Sequence, residues 1–115
     1  MVAFNQFDYE FLEMVRKQEM PPLIITVALT GGVQGKEVNP NLPETPEEQA
    51  QQAYEAYKAG ASIVHIHARD PEKGYASPSI NPAHYREINR RIRELCPDII
   101  INNTTGGGLG TLTTE

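Results

Sequence analysis

Three short apolar runs, each followed by a turn or loop and separated by helical segments, limit the folds that this chain can adopt. The runs begin near residues 23, 62 and 98, at intervals of roughly 36 to 39 residues. Strands joined by a helix at this spacing form right-handed β–α–β units, and such units assemble into a parallel sheet. The sequence therefore predicts an α/β fold with three parallel strands and two connecting helices.

The predicted strands cover residues 23–29, 62–68 and 98–103. The first is a nearly unbroken run of apolar and β-branched residues, which indicates a strand buried on both faces. In parallel α/β folds the carboxyl ends of the strands carry the chemistry, so the residues that follow each run are the candidates for a functional site.

Two predicted helices have clear start signals. Thr45 precedes a proline and begins a capping box, and apolar residues then recur at helical spacing until Gly60. Asn81 also precedes a proline and begins the second connecting helix. A further helix, predicted over residues 7–17, comes before the first strand and is interpreted as an N-terminal cover or an oligomer contact.

The domain organisation follows from this order. Residues 1–21 form a helical extension, and residues 22–115 hold the three strands and two helices. Thr113 resembles the start of another helix. Three parallel strands would leave two edges exposed, whereas a complete (β/α)8 barrel takes on the order of 250 residues. We therefore expect the chain to be the N-terminal part of a larger barrel.

The composition limits which classes of partner and which cellular compartment we expect for this chain. A net charge of −5 disfavours nucleic acid and anionic membrane surfaces, which bind clusters of Lys and Arg. No run approaches the roughly 20 apolar residues of a membrane span, and the N-terminus does not resemble a secretory signal, so we expect a cytoplasmic protein. Cys96 is the single cysteine, which excludes an internal disulfide, and it is predicted to be a buried apolar residue at a helix end.

His65 and His67 alternate with apolar residues in the second predicted strand. Strand alternation puts both imidazoles on one face, near the carboxyl end. Imidazole is a common zinc ligand, and catalytic zinc usually takes three protein ligands. The alternative is a pair of buried histidines that bind neighbouring polar groups, and the pattern leaves both interpretations open. No spacing singles out a third ligand among the loop acids Glu37, Glu44, Asp70 and Glu72.

Glycine-rich segments follow the first and third strands. Residues 104–108 carry two threonines and three glycines, whose N–H and hydroxyl groups suit a carboxylate, a phosphate or an oxyanion. The alternative is a tight turn in which glycine meets a positive φ. Arg69 and Asp70 follow the second strand, and they suit an anionic substrate and an acid or base. Adjacent opposite charges are more typical of a pair on the surface or of one that supports the ligands of a site, and Asp70 could instead orient a histidine.

Several ordered motifs together resemble the β-keto acid cleavage enzymes, a family known from lysine fermentation. The motifs are residues 28–32, 39–48, 59–61, 64–70 and 104–107. The similarity extends from about Pro22 to the end of the chain and corresponds to the N-terminal part of a family member.

This resemblance implies a (β/α)8 TIM barrel that forms a homotetramer when full length. It implies a divalent metal, typically zinc, bound by His65 and His67. It also implies a reaction in which a β-keto acid and acetyl-CoA exchange parts to give acetoacetate and a new acyl-CoA. By the same resemblance, the substrate carboxylate and keto group would be held by Thr104, Thr105, Gly106 and Gly107.

The sequence departs from the founding member of the family at one position. Val33 stands where that enzyme has an acidic residue that helps to receive a substrate amino group, so we expect a neutral or apolar β-keto acid. The family's third metal ligand and its acid/base residues are expected beyond Glu115, and the chain alone is expected to be inactive. Two other functions stay open: a zinc-dependent aldolase or hydrolase on the same barrel, and a non-catalytic half-barrel that binds a partner.

Overall fold

A computed structural model describes residues 5–106 of the protein. Its strands are β1 (Thr26–Ala28), β2 (Ile63–Ile66) and β3 (Ile100–Asn103). Its helices are α1 (Gln6–Lys17), α2 (Pro46–Lys58) and α3 (Pro82–Leu95), with a 3-10 turn at Pro71–Lys73. The predicted α/β order, with two connecting helices and one helix ahead of the first strand, is confirmed. Gly107 and the predicted helix start at Thr113 lie outside the described residues.

The three strands form one parallel sheet in the order β1–β2–β3. Helices α2 and α3 pack on each other and on the same face of this sheet. Val64 and Ile66 of the central strand are fully buried there, and the intervening residues of β2 point to the other face. The core consists of Leu29, Ala50, Ala53, Val64, Ile66, Ala68, Tyr85, Ile88, Ile92, Cys96 and Ile99.

The opposite face of the sheet, which we call the bare face, is not covered by any helix among residues 5–106. Ile100 on this face is 58% exposed. Thr26 and Ala28 of β1 are also exposed, so within residues 5–106 the prediction that the first strand is buried on both faces is wrong. Strand β1 has a single neighbour within the described chain, is shorter than predicted, and begins after the exposed Leu23 and Ile24. An apolar run indicates a strand, but burial depends on which elements cover it.

Local capping explains where the helices begin and end. The Thr45 side chain accepts the N–H of Glu48, whose carboxylate accepts the N–H of Thr45, so the predicted capping box is present. Gly60 follows α2 with φ of +109°, a conformation that favours glycine. Cys96 is fully buried at the end of α3, as predicted.

Helix α1 has a capping box of its own but contains no buried residue. Its larger apolar side chains are exposed: Phe7, Tyr9, Phe11, Leu12 and Val15. Its interpretation as a cover or an oligomer contact stays a prediction. Every helix described between residues 5 and 106 is too short or too polar to cross a membrane.

Lowering the pH is expected to destabilise the protein partly through Glu48. Its carboxylate binds the Lys36 ammonium, and this bond, with the N–H groups of Glu44 and Thr45, holds the pKa of Glu48 below its ordinary value of 4.5. The unfolded chain then binds more protons below that value, so this contribution is complete above about pH 5 and is lost as the pH falls through the folded pKa. Urea titrations from pH 7 to pH 3 measure the effect.

The matched variants are Glu48→Gln and Glu55→Gln. Glu55 lies on the exposed side of the same helix and accepts a hydrogen bond from Gln51. Glu48→Gln should lower stability at pH 7 and flatten its decline below pH 5, while Glu55→Gln should follow the wild type. Parallel curves for the wild type and Glu48→Gln would contradict the assignment.

Candidate metal and substrate site

His65 and His67 lie side by side at the carboxyl end of β2. Their ring centroids are 5.1 Å apart and their planes cross at 72°, and both residues are half-buried. His65 belongs to the strand and faces the bare face, whereas the predicted strand over residues 62–68 ends at Ile66, so His67 follows it. The alternating burial continues through the fully buried Ala68, which keeps the two imidazoles together.

The donor chemistry suits two ligands of a metal site. Burial lowers the pKa of His67, and the neighbouring charges of His65 and Arg69 lower it further. The neutral imidazole favoured in this way is the form that binds a metal. Within the described residues, no group of three His, Cys, Asp or Glu side chains is placed to hold a metal ion.

Three of the four loop acids considered as third ligands, Glu37, Glu44 and Asp70, bind main-chain N–H groups in this part of the chain. A carboxylate oxygen of Glu37 accepts the N–H of Gly35 at 2.8 Å, and one of Glu44 accepts the N–H of Lys36 at 2.8 Å. Asp70 caps the 3-10 turn by accepting the N–H of Glu72 at 3.0 Å. These carboxylates order the loops around the two histidines.

Two residues that sequence analysis missed are placed around the histidines. Asn102 of β3 pairs in register with His65, so strand alternation puts its amide beside His65 on the bare face. Gln49 of α2 is fully buried, and its side-chain amide donates to the His67 carbonyl at 3.1 Å. A polar residue on the buried side of an otherwise alanine-lined helix was the available signal for Gln49.

The residues of the glycine-rich segment after β3 lie on two different sides of the sheet. The Thr104 N–H donates to the Ile66 carbonyl at 3.0 Å and extends the ladder, so Thr104 follows Asn102 on the histidine side. Thr105 instead lines a cavity of about 310 Å3 beside α3. Gly106 lies in an exposed turn, and Gly107 is outside the described residues.

Tyr85 fixes the position of this segment. Its hydroxyl lies 2.7 Å from the Thr104 carbonyl oxygen and 3.0 Å from that of Ser79, and the ring is buried against the core. Tyr85, Ile88 and Ile92 recur at helical spacing, which indicates the apolar side of α3, but this spacing does not indicate what the Tyr85 hydroxyl binds.

The interpretation of Arg69 and Asp70 as a surface pair is wrong, because Arg69 is buried. It is 1% exposed, and its guanidinium donates to the carbonyls of Gly31 at 3.0 Å, Ala76 at 3.4 Å and Gln34. The loops after β1 and β2 fold over the chain at Arg69 and supply these acceptors. Thr30, which also precedes a glycine pair, is buried and donates to the Pro43 carbonyl, so it closes the base of the first loop.

These features define a parallel α/β unit with two adjacent imidazoles at the carboxyl end of its central strand. A sequence profile of the beta-keto acid cleavage enzymes matches residues 22–115. The chain therefore belongs to the β-keto acid cleavage enzyme family. Helix α1 precedes the matched region.

Curated relatives agree with this family. The chain is 45% identical over 91 residues to the 3-keto-5-aminohexanoate cleavage enzyme of Fusobacterium nucleatum, a match covering 79% of this chain and 32% of that protein. It is 45% identical over 85 residues to the 3,5-dioxohexanoate:acetyl-CoA acetone transferase of Paraburkholderia graminis, covering 74% and 26%. It is 38% identical over 89 residues to the 3-oxoadipate:acetyl-CoA acetyltransferase of Cupriavidus necator, covering 77% and 30%. The matches thus cover between 26% and 32% of the length of these relatives.

Proposed function

We propose that the full-length protein is a metal-dependent β-keto acid cleavage enzyme, which combines a β-keto acid with acetyl-CoA to give acetoacetate and a new acyl-CoA. The observation that carries this proposal is the pair of adjacent imidazoles at the end of β2 in a chain of this family. The names of two relatives include acetyl-CoA, which supports it as co-substrate.

We also propose that the described unit is part of a (β/α)8 barrel. Its strands follow one another in sequence order, and both connecting helices lie on the same face. A barrel has this arrangement, with helices outside and the other face of the sheet turned inward. Open doubly wound sheets instead carry helices on both faces. In a barrel, the bare face with His65 and Asn102 would line the interior.

The residues described above would have separate roles in binding. His65 and His67 would hold the metal, and a bound divalent metal polarises a carbonyl oxygen as a Lewis acid. Thr104, anchored through Tyr85, offers its hydroxyl on the same side as the histidines. With Gly106 and Gly107 it would bind the substrate carboxylate and keto group, and Thr105, which lines the cavity beside α3, would contribute through its main-chain N–H.

Two features bear on the substrate and the assembly. Val33 is 84% exposed in the loop after β1, and its apolar side chain favours a β-keto acid without a charged amino group. We propose that the full-length protein acts as a homotetramer, as the family resemblance leads us to expect, and that it is cytoplasmic.

The dependence of turnover on acetyl-CoA tests the proposed reaction. The protein expressed from its full reading frame should consume a neutral β-keto acid only when acetyl-CoA is present, and should form acetoacetate and a new acyl-CoA in equal amounts. Mass spectrometry of the acyl-CoA products measures this directly. Consumption without acetyl-CoA would instead identify an aldolase or hydrolase. A full-length protein that binds neither metal nor substrate would support the non-catalytic alternative.

A further inference from the structure

We propose that Arg69 is a positioning residue that clamps the loop after β1 to the loop after β2, and so fixes the rim of the site beside His65 and His67. The proposal rests on the function proposed above, because it assigns this rim to the binding of the β-keto acid. It assigns no chemical step to Arg69.

The contacts of Arg69 join two separate loops. One guanidinium nitrogen donates to the carbonyls of Gly31 and Gln34, and the other donates to the carbonyl of Ala76. Among residues 5–106, the hydrogen bonds that join residues 31–34 to the segment after β2 are those of Arg69. Residues 31–34 are therefore held by this side chain to the segment that directly follows His67.

The burial of Arg69 is costly, which argues for a specific role. Arg69 is 1% exposed, and its Nε has no hydrogen-bond partner among residues 5–106. Its charge helps to lower the pKa of Glu37, but its hydrogen bonds go to main-chain carbonyls and not to a carboxylate. Burying a cation without such a carboxylate contact is unfavourable, and an apolar side chain of similar volume would avoid this cost. The guanidinium gains hydrogen bonds to the loop carbonyls, and these offset part of the cost.

The planar fork of arginine is essential to the clamp. It presents several N–H donors in fixed directions, so one side chain reaches carbonyls from both loops. A lysine ammonium keeps the charge but is a single point at the end of a flexible chain. The Arg69→Lys variant should therefore fold but bind the carbonyls of one loop only weakly. The Arg69→Met variant should lose the hydrogen bonds to both loops.

Arg93→Met is the matched control. Its guanidinium also donates to main-chain carbonyls, those of Cys96, Pro97 and Ile99, but at the opposite end of the sheet, before β3. A general loss of stability from breaking guanidinium–carbonyl bonds would appear in this variant as well, whereas loosening of the loop at the histidines would not.

The test uses the full-length protein and its Arg69→Lys, Arg69→Met and Arg93→Met variants. Limited trypsin digestion is followed at Lys36, in the loop after β1, relative to cleavage at Lys17 in α1. Cleavage at Lys36 should rise about tenfold in both Arg69 variants, because cleavage follows local opening of the loop. Zinc content should stay at the wild-type level in all variants.

Steady-state kinetics separate positioning from general stability. In Arg69→Lys, the KM for the β-keto acid should rise on the order of 10-fold, with a smaller change in the KM for acetyl-CoA, because a misplaced rim weakens binding of the substrate beside it. The Arg93→Met variant should have the wild-type KM for the β-keto acid and for acetyl-CoA. Unchanged Lys36 cleavage in Arg69→Lys would overturn the clamp, and an unchanged KM would overturn its role in substrate binding. Digestion needs no turnover, so it reports on the clamp even if the proposed reaction fails.

Discussion

Replacing His65 and His67 together with alanine is expected to abolish zinc binding by the full-length protein. The two imidazoles lie 5.1 Å apart, centroid to centroid, and would supply two of the ligands of the site. Loss of a residue that only hydrogen-bonds a metal ligand weakens metal binding about 10- to 100-fold, so loss of either ligand itself should lower the affinity at least about 100-fold. Competition titration with a chromophoric zinc chelator measures the affinity, and metal analysis gives the stoichiometry.

His84→Ala is the control for this experiment, since His84 is the third histidine of the chain. Its Nδ1 lies 2.7 Å from the Ser79 hydroxyl, near the start of α3, and we assign it no metal. His84→Ala should keep wild-type zinc affinity and acetyl-CoA-dependent turnover. A double variant of His65 and His67 that binds one zinc per chain as tightly as the wild type would contradict the proposed metal site.

The elements of the fold were predictable because their signals are local. Thr45 and Asn81 each act on N–H groups within three residues, so the sequence near each residue is enough to place the start of a helix. The alternating burial of β2 was likewise predictable from His65 and the apolar residues beside it. The burial of β1 was not, because it depends on which elements cover a face of the sheet, and an apolar run does not specify that.

The site was predictable only where its residues lie close together in sequence. Two histidines separated by one residue had to share a side of an extended segment. Gln49, Tyr85 and Arg69 bind main-chain carbonyls that are 18, 19 and up to 38 residues away. A carbonyl carries no sequence signal, so their roles depended on knowing how the loops fold. Asn102 similarly required the register between β2 and β3.

Replacing Ile66 with alanine is expected to reduce the free energy of unfolding by about 2–5 kcal/mol. Ile66 lies in the central strand, is fully buried, and packs in the core under α2 and α3. Removing its side chain loses the transfer free energy of the buried methylene and methyl groups and leaves a cavity that close-packed neighbours fill only partly. Denaturant titration of the full-length protein measures the loss. Ile80→Ala, at a position 42% exposed in a loop, should change stability by less than about 1 kcal/mol.

The same denaturant titration, applied to an Ile100→Ala variant, tests the proposed barrel. Ile100 is 58% exposed on the bare face, so with that face open its replacement should cost no more than that of Ile80. If the bare face is the interior of a (β/α)8 barrel, the side chain is buried in the full-length protein, and the cost should approach the roughly 2–5 kcal/mol expected at Ile66. A small cost at Ile100 beside a large one at Ile66 would mean that the bare face remains open, and the proposed barrel would be wrong.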